Sequence, residues 1–393
     1  MTSYEAPVRT VSLDADGRYH IRAEARATLE QTARYVLSTA DHERTDRLWP
    51  ADAMVFATNP MSLAYGACGP ALFLQHSSTP YELPTKTLTW LLNMPLDVDT
   101  YPPGLYSGLA GVACTFAELG IPEKALETMK LAYQSPLLFE EANVMVGCAG
   151  WGMAGLHLYQ LMGDQILLDH SVDAGNHLLN TACYEGDTYN WGPNSDGRIP
   201  YGFGYGATGC ALFLLQLYSV TGETRFRDAA VRSVNHDLAR RLDGPLGWQF
   251  QSHDGDTLVK PYWISGAAGI GSTLVRFHRA LGDEQFLADA RHIAYDSSVK
   301  FTVEPGLFQG LAGIAEFMID LYIHTNEAIY HDTALDIADT IMWFRINRPE
   351  GTAWPGRWLR RISDDYATGA AGIGLLLNRL LHPGPRLLLD LLP

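Results

Sequence analysis

The sequence predicts an all-α protein, an (α/α) toroid of about seven inner and seven outer helices. Three observations carry this prediction. A Gly-x-x-Gly motif opening an apolar run recurs at Gly66, Gly108, Gly147, Gly206, Gly266, Gly310 and Gly369. Its first glycines are spaced by 42, 39, 59, 60, 44 and 59 residues, and two helices of about 14 residues with their loops need roughly 40. The runs that follow have helical spacing, as in Ala211, Leu212, Leu214, Leu215, Leu217 and Tyr218.

Each unit therefore reads as a helix pair. The first helix of several pairs ends at a glycine followed by an acid, as at Gly163-Asp164, Gly222-Glu223 and Gly282-Asp283. Glycine suits the residue after a helix, and an acid suits the start of the next one. The second helix follows, as in Phe286–Val299 with Ala288, Ala290, Ile293 and Ala294 in its stripe. Glycine inside a helix costs about 1 kcal/mol relative to alanine, so a glycine recurring at one helix end needs a geometric cause. Small residues there let helix ends crowd around a common point, which favours a closed ring over an open solenoid. Three units carry insertions: Cys183–Gly204, Asp243–Tyr262 and Asn347–Tyr366. Residues 1–48 read as an N-terminal helical extension, with an amphipathic helix over Ala23–Leu37, and 49–393 as a single toroid domain.

Composition narrows the partners. The 393 residues hold 28 Lys+Arg against 44 Asp+Glu, a formal charge of −16. Such a chain is expected to bind neither nucleic acid nor an anionic membrane, since both need a basic face. The longest apolar stretches, such as Cys210–Val220, fall short of the roughly 20 residues of a membrane span. Residues 1–20 include Glu5, Arg9, Asp14 and Asp16 and no signal-peptide core. The five cysteines, Cys68, Cys114, Cys148, Cys183 and Cys210, are odd in number, as expected of a reduced, cytoplasmic protein. Those inside the repeats read as small packing residues.

If helix N-termini meet at a centre, the residues before each first glycine line a mouth with free N–H groups and partial positive charge. They are Tyr65, Ser107, Val146, Tyr205, Ser265, Gln309 and Thr368. The inserted loops precede the fourth, fifth and seventh repeats and should fold over that mouth. They bring Trp191 and Tyr201, then Trp248, Tyr262 and Trp263, then Trp354 and Tyr366. With Phe308, these are the candidate substrate contacts; the plainer reading is that each aromatic anchors its own loop. The loops also hold Lys260 and Asp364-Asp365. The two acids double as possible caps for the last inner helix, and Ser252-His253-Asp254-Gly255-Asp256 reads as an exposed turn.

The units Gly108-Leu109-Ala110-Gly111-Val112-Ala113, Gly310-Leu311-Ala312-Gly313-Ile314-Ala315 and Asp365-Tyr366-Ala367-Thr368-Gly369-Ala370-Ala371-Gly372-Ile373-Gly374 resemble the repeats of lanthionine synthetase cyclases. Asn59-Pro60-Met61-Ser62-Leu63-Ala64-Tyr65-Gly66, Pro102-Pro103-Gly104-Leu105-Tyr106 and Tyr262-Trp263 before Gly266 most resemble the C-terminal cyclase domain of class III synthetases. The likeness spans roughly residues 45–380. It implies a double toroid and addition of peptide cysteine thiols across dehydrated Ser/Thr residues of a precursor peptide. The ligand positions of the family's zinc-bearing members fall on Ile264, Phe308 and Gln309, which supply no Cys or His, and the resembled class III domains lack the metal, so neither metal nor other cofactor is expected. The His that active cyclases place before the fourth repeat is Tyr205, while Lys260 keeps a positive charge four residues before the first lost ligand. The catalytic candidates are Tyr205, Lys260, Asp365 and Gln309, with Lys260 expected to lower the Tyr205 phenol. The sequence shows no kinase-type phosphate loop, so separate kinase and lyase proteins would supply the dehydrated peptide. Two alternatives stand beside a stand-alone zinc-independent cyclase. One is a non-catalytic module that binds the peptide or partner enzymes. The other is the same fold turned to small-molecule cyclisation, for example of an isoprenoid, where aromatic faces stabilise cations.

Overall fold

The computed structural model describes residues 12–78 and 81–391; Glu5 and Arg9 lie outside them. Seven helices open at the glycine motifs: α3 (Cys68–His76), α5 (Leu109–Glu118), α7 (Cys148–Met162), α9 (Ala207–Thr221), α11 (Ala267–Leu281), α13 (Leu311–Thr325) and α15 (Ala370–Leu381). They pack side by side in chain order, and α15 closes on α3. The outer helices α4 (Thr85–Asn93), α6 (Pro122–Ala132), α8 (Gln165–Thr181), α10 (Thr224–Leu238), α12 (Glu284–Ser297) and α14 (Ala328–Met342) alternate with them along the chain. The N-terminal helix α1 (Ala15–Ser38) is longer than its sequence signal and packs on α14 and α15. Its Ala25, Leu29, Ala33 and Val36 are part of the common core, so it fills the outer place beside α15. A single turn, α2 (Met54–Ala57), completes the helices before the first repeat.

The helix boundaries follow local chemistry. Gly163, Gly222 and Gly282 all sit in the left-handed region after α7, α9 and α11, with φ of 71°, 73° and 70°. Asp164 and Asp283 then accept hydrogen bonds from the Ile166 and Gln285 N–H groups, starting α8 and α12. Each long insertion contains a short antiparallel hairpin that the sequence pattern did not signal: β1 (Cys183–Glu185) with β2 (Thr188–Asn190), β3 (Leu242–Asp243) with β4 (Trp248–Gln249), and β5 (Ile346–Arg348) with β6 (Gly351–Ala353).

The repeated glycine has a local cause. At Gly209 a Cβ would stand 2.0 Å from the Phe203 carbonyl oxygen, six residues upstream. The second glycines of the second to seventh motifs all meet that upstream carbonyl at 1.9–2.2 Å. The chain thus folds back tightly onto each helix start, and no side chain fits beneath the fold.

That tight fold builds a closed circle of backbone hydrogen bonds between repeats. The Ala64 N–H donates to the Tyr106 carbonyl at 2.8 Å, Tyr106 to Met145 at 3.2 Å and Met145 to Gly204 at 3.3 Å. Gly204 donates to Ile264 at 2.7 Å, Ile264 to Phe308 at 3.1 Å, Phe308 to Ala367 at 2.9 Å, and Ala367 back to Ala64 at 2.9 Å. Every member stands two residues before a first glycine. Beneath the circle, Tyr106 packs within 5.4–6.4 Å of Phe203, Trp263, Phe308 and Tyr366, an aromatic plug at the hub. At the opposite end the C-terminal tail crosses the ring, tied by the Gln216 amide to the Leu389 carbonyl at 2.7 Å and by Arg276 to Asp390 at 2.8 Å. The plug and this tail narrow the ring centre from below to a cavity of about 320 Å³ beside Tyr366 and Arg386, and a larger one of about 620 Å³ opens on the loop side.

Candidate functional site

The residues before the motif glycines do ring the loop end, but unequally. Ser107 and Thr368 are buried, Tyr65, Val146 and Ser265 half-buried, and Tyr205 and Gln309 exposed. Beside Tyr205 lies a cavity of about 620 Å³, within the size range of small-ligand sites. The start of α9, at Gly206, Ala207 and Cys210, forms part of its lining, along with the segment before α7 and the insertion before α9.

Backbone ties shape this cavity. The Tyr201 N–H donates to the Ser252 carbonyl at 2.9 Å, joining the insertions before the fourth and fifth repeats. The Trp191 indole N–H donates to the Leu178 carbonyl at the end of α8, at 3.1 Å. Asn143 accepts from the Val146 N–H at 3.0 Å and donates to Glu141 at 3.1 Å. Buried Asp237 on α10 accepts from the Gly202 and Thr208 N–H groups at 2.9 and 3.0 Å and from the Thr208 hydroxyl at 2.6 Å. Those bonds pin both sides of the Tyr205 turn to the outer ring.

The ionisable side chains lining the cavity are Tyr201, Tyr205, Cys210, His177, His253, Glu140, Glu141 and Asp196. Although 46% of Tyr205 is exposed, the walls desolvate its hydroxyl and Glu141 stands near, so its pKa is raised. The sequence expectation that Lys260 lowers it is corrected: Lys260 does not line this cavity. It acts instead on Asp256, which, against its own burial, is held down to about 2 by the Ser252 hydroxyl, the Leu258 N–H and Lys260. Tyr205 is therefore a protonated phenol at neutral pH, able to donate and unable to act as a base. His177, on α8 beside the Phe139 ring at 4.7 Å, has its pKa lowered by burial and stays a neutral imidazole, able to accept a proton. Cys210 is buried, its thiol directed to the Ala142 carbonyl at 3.3 Å and its pKa pushed up by burial, so it packs and does not react.

The other sequence candidates lie elsewhere. Trp191, Tyr201 and Tyr205 meet at the cavity. Trp263, Phe308 and Tyr366 are buried in the plug, where the Arg386 guanidinium covers Trp263 from the tail side at 4.3 Å. Trp248 stacks on His292 of α12 at 5.2 Å, and the Trp354 indole donates to Thr32 of α1 at 3.0 Å, so both anchor their loops outward. Tyr262 is half-buried and Gln309 is exposed on the rim. Asp365 is buried, accepting from the Asp52 N–H at 2.9 Å, the Thr368 N–H at 2.7 Å and the Ser363 and Thr368 hydroxyls. Glu141, Asn143 and His177 were missed in the sequence, because they precede an uninserted repeat or sit on an outer helix, where no motif marks them.

The zinc of the family's zinc-bearing members does not fit these residues. Ile264 and Phe308 are buried members of the hydrogen-bonded circle, and Gln309 is exposed. Among the described residues no group of three or more His, Cys, Asp or Glu side chains is arranged to hold a metal ion.

A closed ring of seven glycine-opened helices inside an outer helical layer, with its candidate site on the loop side, defines an α/α toroid. The chain belongs to the lanthionine synthetase C-like protein family, whose model matches residues 57–392. A probable SapB synthase of Streptomyces coelicolor is 30% identical over 363 residues, covering 91% of this chain and 38% of that protein. The chain thus spans well under half the length of this relative. Among solved structures, nisin cyclase matches with a TM-score of 0.62 at 14% identity, over 82% of this chain and 89% of that one. An inactive α-1,6-mannanase variant from a Salegentibacter species, bound to α-1,6-mannotetrose, matches with a TM-score of 0.51 at 15% identity, over 92% and 99%. At such identities these structures show the fold alone. Among the described residues no helix is long and apolar enough to cross a membrane.

Proposed function

We propose that this chain is a zinc-independent thioether cyclase acting on a dehydrated precursor peptide. The observation that carries the reading is the cavity at the loop end of a cyclase-family toroid, lined by a protonated phenol and a neutral imidazole. Its chemistry balances without a co-reactant. The substrate cysteine thiol gives its proton to His177, and sulfur attacks Cβ of the dehydroalanine or dehydrobutyrine. The carbon–sulfur bond forms as the Cα–Cβ π bond breaks, and the electron pair moves to the carbonyl as an enolate. Tyr205 then donates a proton to Cα and recovers one, through solvent, from the His177 imidazolium. A free thiol has a reference pKa near 8.5, so at neutral pH a positioned base and a positioned acid are what the site must supply. Trp191 and Tyr201 offer faces for the peptide. Separate kinase and lyase proteins would install the dehydrated residues, and such a system would work in the cytoplasm.

Incubation with a dehydrated candidate peptide, followed by thiol alkylation and mass analysis, tests this. Cyclisation leaves peptide mass unchanged and removes alkylatable thiols. If thiols persist while the peptide still binds, the non-catalytic module is the correct reading, one favoured by tyrosine standing where related cyclases place histidine. The isoprenoid alternative loses its aromatic cage, because Trp263, Phe308 and Tyr366 are packed in the plug and do not line the cavity.

A further inference from the structure

The insertion before the seventh repeat carries a feature that the cavity does not explain. Trp358 and Leu359 both lie in the left-handed region, with φ of 56° each. Large non-glycine residues rarely adopt it, and consecutive cases mark a conformation imposed for a reason. The conformation presents both side chains outward: Trp358 is 56% and Leu359 46% exposed. It is held by the Trp358 N–H, which donates at 3.1 Å to the buried carboxylate of Glu304. Glu304 in turn continues a second exposed segment, Phe301 and Val303, whose Phe301 ring lies 6.1 Å from the equally exposed Trp343. Five large exposed apolar side chains thus sit on three segments beside the sixth and seventh repeats, linked by the Trp358–Glu304 bond and the Phe301–Trp343 contact. Arg360 and Arg361 follow Leu359 in the chain, both exposed and, among the described residues, in no ion pair with a carboxylate. In a chain of net charge −16, an unpaired basic pair next to exposed aromatics stands apart from its surroundings. The patch adjoins the mouth, since Gly356 backs onto the Thr368 hydroxyl.

We infer that this patch is a docking surface for an acidic, apolar stretch of the peptide substrate, remote from its reacting residues. The inference rests on the reading of the chain as acting on a peptide. The apolar residues of that stretch would cover Trp358, Leu359, Phe301 and Trp343, and its carboxylates would meet Arg360 and Arg361. With the stretch held there, the rest of the peptide crosses the mouth toward Tyr205.

The test uses the full chain and a fluorescein-labelled 16-residue helical probe with leucines on one face and glutamates on the other. Fluorescence anisotropy should show saturable binding that weakens at least tenfold with Arg360→Glu/Arg361→Glu and with Trp358→Gly. Glycine accepts the left-handed backbone, so Trp358→Gly should keep or raise the thermal midpoint, separating lost docking from lost folding. The same probe with lysine in place of glutamate should bind at least tenfold more weakly. Equal binding of the two probes, or indifference to both variants, overturns the proposal. A wild type that cyclises a dehydrated peptide yet ignores the acidic probe overturns the docking surface and leaves the cyclase reading intact. A chain that binds the acidic probe with the expected losses but cyclises nothing supports the surface and removes the cyclase.

Discussion

The fourth and seventh repeats carry the same motif in the same register, yet their mouths are opposite environments. At the fourth, Tyr205 faces a cavity and is 46% exposed. At the seventh, Asp364 and Asp365 are at most 1% exposed. The cause is the segment joining α1 to the first repeat. The Thr39 hydroxyl donates to Asp364 at 2.8 Å, the Asp364 N–H donates to the Pro50 carbonyl at 2.7 Å, and the Asp52 N–H donates to Asp365 at 2.9 Å. That segment lids the seventh mouth, and among the described residues no comparable segment covers the fourth. In both repeats a buried aspartate ties down the turn: Asp237 from α10 at the fourth, Asp365 from the turn itself at the seventh. A repeated frame therefore supplies equivalent positions, and what lies on top decides which of them is a site.

The largest expected effect follows from that contrast. Tyr205→Phe removes one hydroxyl and leaves the ring, so it should lower cyclisation by about 10²–10⁴-fold, the usual worth of a positioned acid, with the thermal midpoint unchanged. Asp365→Asn should alter stability and leave turnover of the folded enzyme within a few-fold. The reverse result, activity indifferent to Tyr205→Phe and abolished by Asp365→Asn, would place the chemistry at the seventh repeat and break the comparison. Steady-state turnover with melting curves for both variants decides it.

The frame itself should not distinguish the two repeats. A Cβ at Gly209 would meet the Phe203 oxygen at 2.0 Å, and one at Gly372 the Tyr366 oxygen at 2.1 Å. Gly209→Ala and Gly372→Ala should therefore each cost about 3 kcal/mol, the upper part of the overpacking range. Equal losses in urea unfolding would sharpen the comparison by assigning the difference to the covering segments. A much smaller loss at Gly372 would show that the lid, and not the fold-back, holds the seventh turn.

Helix count, pairing and closure were legible in the sequence because one steric requirement recurs at every helix start and only glycine meets it. The reason behind it was less legible: crowding of helix ends gave way to a carbonyl of the same turn folded beneath the glycine. The candidate site was legible in part. Residues before the glycines led to Tyr205, and insertion aromatics led to Trp191 and Tyr201. Trp263 and Phe308 read as contacts because aromatics near a mouth look alike in sequence whether they line it or plug it. Only the hub packing, with Tyr106 at its centre, separates the two. His177 carries no signal at all, since its place depends on which outer-helix face the insertion before the fourth repeat covers. The lid over Asp364 comes from residues about 310–325 positions away in the chain, a relation that no local pattern records.

The smallest expected effect tests that lid through pH. Burial pushes the Asp364 carboxyl up to about 7, with the Thr39 hydroxyl opposing and the Asp365 charge adding to the rise. Asp365 is raised to about 6, again by burial, against the hydrogen bonds it accepts. In the unfolded chain both titrate near 3.9. Between about pH 4 and pH 7 the folded protein thus holds protons that the unfolded chain has released, so stability falls as pH rises through this window. The contribution is fully present below pH 4 and lost above pH 7. Asp364→Asn removes the charge that must otherwise be buried, and its amide still accepts from Thr39. The variant should match or trail the wild type in thermal midpoint at pH 5. At pH 8 it should exceed it by roughly 1–2 kcal/mol of stability, after allowing for bonds that the amide cannot reproduce. The corresponding change in the open half, Glu141→Gln, lies at an exposed residue and should show no such crossover. If the Asp364→Asn difference is the same at pH 5 and pH 8, the carboxyl is ionised throughout, water reaches it, and the seventh mouth is not sealed as the fourth is open.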